Sequence, residues 1–524
     1  MKKVLAILLV FTLLLAQTSA FAEGISKAGY PVTEEPVTLR VLTGTGALTP
    51  QDINTMTIFK KAEEAMNIHI EWITAPSGSA YNDKLALMLA TDDLPDIILG
   101  GVSEIQLVKY GSEGSFIPME GLVEEYAPNL CKLFELRSDL RSFSTAPDGH
   151  MYGLPRVSEG PWMLVKRIYN INKQWLDQLG LSMPTNLTEF KNALLAVKNG
   201  DPNGNGIADE IPITFASGSS FTVSVFEYIF GAYGLSVAPS LLDLEDNKVV
   251  CVATDDRYKK GIEYLHSLYA EDLIDPDSFV MDSAQWKAKV NALPVQVFVS
   301  PNWDYNDNVS NPEILAQYGM MAPLYGDQGE EPNVYATAQY GYTRGYGVIT
   351  KACQNPEAAM RWLDYWYEEI NTYESAEGPI GERLFYDENG TLLLNGGDVV
   401  AASVPRDSVC LNSYMHRAML KEYIEENRIA YPSTFPKVNF VLANVMSHVD
   451  QDPFPKVFYT VDESETLSMM QVNLINYINS QAADWIINGG VEEQWDGYLA
   501  QLENMGLSEY LSIQQAAYER YIEN

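Results

Sequence analysis

The residues best suited to chemistry lie in a single run. From 201 to 212 the chain reads Asp-Pro-Asn-Gly-Asn-Gly-Ile-Ala-Asp-Glu-Ile-Pro. This puts side-chain oxygens of Asp201, Asn203, Asn205 and Asp209 at loop positions 1, 3, 5 and 9, glycine at 6 and the carbonyl of Ile207 at 7. That is the ligand spacing of an EF-hand calcium loop. Calcium takes six to eight oxygens at about 2.3 to 2.6 Å, and the run offers oxygen alone, with no His or Cys beside it to favour a transition metal. Position 12 is Pro212 where a bidentate Glu is usual, so the closing ligand falls to Glu210. The departure argues for one static loop holding a structural Ca2+, not a regulatory helix pair. The alternative is a Gly/Asn-rich surface turn with solvated acids.

Other candidates for catalysis do not assemble. His69, His150, His266, His416 and His448 show no HExxH or comparable spacing, and no GxSxG, phosphate-cradling Gly-Lys-Ser/Thr or strand-linked GxGxxG occurs. Carboxylates number 70 in 524 residues, too many for any pair to signal glycoside hydrolysis, which needs a defined separation in space. The expectation is that the protein is not an enzyme. Cys131, Cys251, Cys353 and Cys410 form no CxxC; three pairings or free thiols remain open.

The elements that must position these residues follow an α/β rhythm. Val37 to Leu42 reads as a strand and Asn54 to Ala65 as a helix; Ile68 to Ile73 alternates as a second strand, Asp83 to Ala90 is helical, and Leu94 to Leu99 ends at Gly100-Gly101. Strand, helix, strand, helix, strand predicts a parallel sheet covered by helices. Further on, Asn186 and Glu189 form a capping box ahead of Phe190 and Leu194. Asn355-Pro356-Glu357 starts a helix whose stripe, Ala359, Trp362, Leu363, Trp366 and Ile370, reads as core. The end of the chain reads as two packed helices over about Glu492 to Tyr521, with stops at Gly489-Gly490 and Gly506.

A net charge of −36 repels phosphate backbones and anionic membranes, and no basic run opposes it, which argues against nucleic acid as a partner. Met1 to Ala22 reads as a secretory signal: Lys2 and Lys3, an apolar run from Val4 to Ala16, and a small-x-small site at Ala20-Phe21-Ala22. The expectation is an exported protein, secreted, periplasmic or held at the cell surface. Its first cysteine is Cys131, so no lipid-attachment cysteine stands at the cleavage site.

Several segments, taken in order, resemble the family 1 extracellular solute-binding proteins, the receptors of ABC importers, and especially their calcium-containing oligosaccharide-binding branch. They are Leu85-Ala86-Leu87-Met88-Leu89-Ala90-Thr91-Asp92-Asp93-Leu94-Pro95-Asp96-Ile97-Ile98, Asp148-Gly149-His150-Met151-Tyr152-Gly153-Leu154-Pro155 and Tyr169-Asn170-Ile171-Asn172-Lys173-Gln174-Trp175-Leu176. Leu268 to Asp275, Asn355 to Ala359, Trp485, Trp495 and Met505-Gly506-Leu507 continue the match. The resemblance implies a two-lobed α/β fold of the periplasmic-binding-protein type (type II), with the solute in a cleft between lobes that close by hinge rotation. It implies lobe 1 at residues 37–157 and 325–372 and lobe 2 at 158–324 and 373–524. It carries over Asp201, Asn203, Asn205, the Ile207 carbonyl, Asp209 and Glu210 as calcium ligands.

The implied function is an extracytoplasmic receptor, acting as a monomer, that binds an oligosaccharide and delivers it to the permease subunits. Sugars offer apolar C–H faces and hydroxyls, so their sites want aromatic platforms beside planar polar side chains. Trp303, after the Val295 to Val299 strand, matches a position where related sugar receptors place a stacking Trp. Trp162, Tyr340, Tyr342 and Arg344 follow as candidates in loops or near expected crossings, with Glu159 and Arg156 in a hinge loop. Gly44 and Gly100 mark strand ends where backbone can approach the solute. The rival reading is a secreted carbohydrate-active enzyme, a glycoside hydrolase. A calcium-dependent adhesin would call for repeats or a wall-anchoring segment, which the sequence does not show.

Overall fold

The structure, a computed structural model, describes residues 24–160, 165, 167–217, 221–302, 305, 308–335, 341–393, 404–426, 428–430, 436–450 and 452–523. The expected leader at residues 1–22 lies outside them. Two compact units emerge. Unit 1 takes the chain up to Ser158 and Tyr342–Pro432; unit 2 takes Glu159–Gly341 and Ser433–Asn524.

Unit 1 is built on the predicted rhythm. Strand β1 (Val37–Thr45) runs parallel to β2 (Ile68–Pro76), Val37 opposite Ile68 and Thr45 opposite Pro76. The short β3 (Ile97–Ile98) lies parallel on the other side of β1, and Val348–Ile349 pairs antiparallel with β3. Helix Thr57–Met66 links β1 to β2, burying Ile58, Phe59, Ala62 and Met66 and ending where Asn67 turns left-handed. Trp362 and Trp366 are both 1% exposed in the same core, with Phe59 edge-on to Trp366 at 5.5 Å. Ile370, expected on their stripe, is instead exposed. The helix stops at Tyr365 because Asn371 Nδ2 and Thr372 Oγ1 donate to the carbonyls of Tyr365 and Trp366 at 3.0 and 2.8 Å, and a new helix runs over Glu369–Glu377.

The unit boundaries differ from the expected lobes in two places. Residues 373–432 belong with unit 1: Ala418–Met419 pairs parallel with Val157–Ser158, and His416 Nε2 sits 2.6 Å from the Leu363 carbonyl. Residues 325–341 belong with unit 2, where the Tyr325 amide donates to Thr185 and that of Asn333 to Gly231. The pairing partners of these segments lie far along the chain, so local pattern does not reveal them.

Unit 2 holds a mixed sheet of β4 (Ile168–Asn172), β5 (Ile211–Ile213), β6 (Val297–Asn302) and β7 (Tyr318–Met321), in the order β7-β4-β6-β5. Strand β6 runs parallel to β5, and β4 runs antiparallel to both β6 and β7. Trp175 stacks on Phe298 at 6.2 Å beneath it. Helix Leu187–Asn199 is capped by Asn186, whose side chain accepts from the Glu189 amide at 2.9 Å. The Glu189 carboxylate reaches one residue further back than a capping box would, to the amide and hydroxyl of Thr185 at 2.9 and 2.8 Å. Helices Val461–Asn488, Val491–Asn504 and Leu507–Glu523 complete the unit, with Gly489 at φ 75° ending the first. No helix among the described residues is long and apolar enough to cross a membrane, and the four cysteines are unpaired.

Candidate functional site

The calcium-type loop joins the end of helix Leu187–Asn199 to β5, and its own polar atoms fold it. The Asp201 carboxylate accepts from the amides of Asn205 and Gly206 at 3.0 and 2.9 Å, and Asn205 Oδ1 accepts from that of Ile207 at 2.7 Å. Gly204 and Gly206, at φ 70° and 76°, supply the turns that a Cβ would strain. The side-chain amides of Asn203 and Asn205 both donate to Asp209, at 2.9 and 3.0 Å, and Gln296 adds a third donor at 2.8 Å. These donors, Gln296 foremost, hold the Asp209 carboxyl below its ordinary range. Glu210 is the opposite case: both of its carboxylate oxygens are buried without a well-formed hydrogen bond, and burial outweighs the nearby amides of Glu210 and Asn203 and pushes its pKa up.

That contrast tests the fit to a cation. A buried carboxylate without a well-formed hydrogen bond is costly unless a positive charge meets it, and Glu210 is the residue required to close the ligand set. The Ile207 carbonyl accepts from the Asp209 amide at 3.0 Å, while the Ile207 side chain points to solvent. The donor set is wholly oxygen, which suits calcium. Among the described residues no group of three or more His, Cys, Asp or Glu side chains converges as a metal site. The loop would draw on amide and carbonyl oxygens beside its acids.

A second feature lies in unit 1 at the carboxyl ends of β1 and β3, the end of a parallel sheet where ligands bind. Here Gly44 and Gly100 have no side chains, and Tyr414 fills the space: a Cβ on Gly44 would lie 2.0 Å from its Cζ, and one on Gly100 3.0 Å from its Cδ1. Tyr346 also reaches Gly100, its Cε1 3.2 Å from such a Cβ, and the Tyr81 ring lies 4.9 Å from that of Tyr414. Both Tyr346 and Tyr414 are half-buried, as platforms with one free face would be. Arg156 stacks on Tyr346 at 4.9 Å and donates to its hydroxyl and to the Asn412 carbonyl, both at 3.2 Å. Arg417 donates to the same carbonyl at 2.8 Å and to Asn412 Oδ1 at 2.7 Å, fixing the loop that carries Tyr414. Gly46, Thr49, Ser77, Asp407 and Ser413 line a small polar hollow beside it.

Of the residues singled out in the sequence, Arg156 lies on this face, with Gly44 and Gly100. Trp303, Trp162 and Tyr340 lie outside the described residues. Tyr342 and Arg344 are in the interior of unit 1, each 2% exposed, so they are corrected to packing residues. The Tyr342 hydroxyl accepts from Arg137 at 2.8 Å and its ring meets Phe143 edge-on. Arg344 lies over the Phe143 ring at 3.9 Å and pairs with Glu104. Glu159 is buried at the start of unit 2. The structure adds Tyr346, Asn412, Tyr414 and Arg417 to this face, and only the strand-end glycines hinted at them.

Residues 48–372 match the family model described as bacterial extracellular solute-binding protein. The chain belongs to that family. The fructooligosaccharide ABC transporter substrate-binding protein FusA of Streptococcus pneumoniae is 31% identical over 519 residues, 94% of this chain and 92% of that protein. A structure of S. pneumoniae FusA, an EF-hand mutant in complex with fructo-nystose, superposes with TM-score 0.79 and 30% identity over 93% of this chain and all of that one. A human-milk-oligosaccharide-binding (HMO-binding) solute-binding protein of Bifidobacterium longum infantis, at 23% identity, shares the fold with TM-score 0.78 over 93% of this chain and 99% of that one. As a member of the extracellular solute-binding proteins, the chain has the family's two-lobed α/β fold, and its relatives are binding proteins of ABC transporters. The FusA structure is that of an EF-hand mutant, so that relative carries an EF-hand.

Proposed function

We propose that the protein is the extracytoplasmic solute receptor of an ABC importer, that it binds an oligosaccharide, and that it hands the sugar to the permease chemically unchanged. The observation that carries this reading is the full-length likeness to FusA, a fructooligosaccharide receptor. The strand-end face of unit 1 fits it, because rings lying on bare backbone beside guanidinium and amide groups suit the mixed surface of a sugar. Arg156, Tyr346 and Tyr414 are assigned to ligand contact in unit 1; Trp303 is assigned to stacking on the resemblance of the sequence alone. The chain acts as a monomer after removal of residues 1–22.

The loop at 201–210 is assigned a structural Ca2+ held by Asp201, Asn203, Asn205, the Ile207 carbonyl, Asp209 and Glu210. The ion supplies charge compensation for Glu210 and stiffens the link between helix Leu187–Asn199 and β5.

A thermal-shift screen against oligosaccharides of graded length and charge tests the receptor reading. A ligand at about a hundred times its Kd adds about 2.7 kcal/mol and raises the melting temperature by several degrees. No shift with any oligosaccharide, or cleavage of the sugar that binds, would refute the reading.

A further inference from the structure

Arg156 and Arg417 lie close enough for the charge of Arg156 to bear on Arg417, and neither forms an ion pair with a carboxylate among the described residues. Their donors go to neutral oxygens: the Tyr346 hydroxyl, the Asn412 carbonyl, which both arginines share, and Asn412 Oδ1. Each keeps a buried Nε–H without a hydrogen-bond partner. Burial, and next the charge of Arg156, hold the Arg417 guanidinium down to about 9. The acid that offsets this, Glu377, is already shared by Arg383 and Arg406, at 3.9 and 3.5 Å. In a chain with 70 acidic residues against 34 basic ones, two adjacent guanidiniums that pair with no carboxylate among the described residues are a local excess of positive charge. No run of basic residues foretells it, because the fold brings positions 156 and 417 together.

The location gives that excess a use. Arg156 is half-exposed, stacked on Tyr346 and beside the strand ends over which Tyr414 lies. Each terminal nitrogen of Arg156 carries a second N–H beyond the bond it makes to Tyr346 or Asn412, and a pair of guanidinium N–H groups matches a carboxylate in two parallel hydrogen bonds. We infer that Arg156 receives a carboxylate of the solute, with Arg417 behind it as a positioning residue, and that the preferred ligand is an oligosaccharide containing uronic acid rather than a wholly neutral one. This rests on the receptor reading above and narrows its substrate class.

The test is a calorimetric comparison of tetragalacturonate with neutral galactotetraose and a fructo-tetrasaccharide on the mature chain, then on Arg156→Gln and Arg156→Lys. The wild type should bind the acid at least about tenfold tighter than either neutral sugar. Arg156→Gln should erase that ratio and Arg156→Lys keep part of it, since the lysine retains charge but not the fork. The ratio is the readout because Arg156 also helps to hold Asn412, so loosening of the loop would weaken all sugars together. Neutral sugars binding as tightly as the acid to wild type, or an unchanged ratio in Arg156→Gln, would overturn the inference while leaving the receptor reading intact. Failure of every oligosaccharide, acidic and neutral, would overturn both.

Discussion

The calcium-type loop of unit 2 takes its ligand set from ten consecutive residues, whereas the strand-end face of unit 1 joins Arg156 to Asn412 across 256 residues of chain. The two also treat charge in opposite ways. The loop buries a carboxylate that lacks a well-formed hydrogen bond, Glu210, and the face holds Arg156 and Arg417, which pair with no carboxylate among the described residues. Each imbalance implies a missing counter-charge: a cation for the loop, a ligand group for the face. A spacing rule can find the first kind of site, because the backbone of a short loop fixes where its side chains go. The second exists only after the sheet has formed and the segment 410–417 has packed across its edge.

The largest expected effect falls on the face. Tyr414→Ala should weaken oligosaccharide binding by about 3 kcal/mol in calorimetry, the size of a buried aromatic anchor, while leaving calcium content by elemental analysis unchanged. A loss that matched in both measurements would mean that the two regions are not separate.

Next comes the loop. In chelator, Glu210→Gln should be more stable than wild type by about 1 to 2 kcal/mol, since it removes a buried charge without a well-formed hydrogen bond. In millimolar calcium the order should reverse, because the amide is the weaker ligand. Denaturant melts in both conditions check the sign, and a variant that is stabilised or destabilised equally in both would remove Glu210 from the ligand set.

A pH-dependent effect concerns an acid of neither region. Burial, and then Asp450, push Asp243 up to about 7, whereas in the unfolded chain it titrates near 3.9. The folded state therefore binds the extra proton between those values. The stability this contributes is full below about pH 4 and is lost as pH rises through 7. Asp243→Asn should flatten that part of the pH–stability curve, and an unchanged slope would place the titration elsewhere.

The smallest is Tyr342→Phe, which removes the hydrogen bond from Arg137 and should cost about 1 kcal/mol of stability with no change in sugar affinity. A drop in affinity would restore Tyr342 to the binding face.

Much of the fold was legible because it is local. The strand–helix–strand order of unit 1 follows from alternation and helical spacing, and the tryptophans of helix Pro356–Tyr365 announce their burial by their interval. What stayed hidden depends on distant partners. Residues 373–432 join unit 1 through pairing between Ala418–Met419 and Val157–Ser158, which no local pattern encodes. Tyr342 and Arg344 were chosen as lying in a loop ahead of a strand, yet Phe143 and Glu104 enclose them from two helices some 200 residues earlier. Gly44 and Gly100 were visible as glycines at strand ends; the ring that occupies their space was not.

The most direct test of the central claim is an equilibrium titration of the mature chain, in calcium, with acidic and neutral tetrasaccharides, followed by chromatography of the recovered sugar. The account predicts saturable binding at one site per chain and a sugar returned at its original length. A chain that binds none of them, or that returns shortened products, contradicts it.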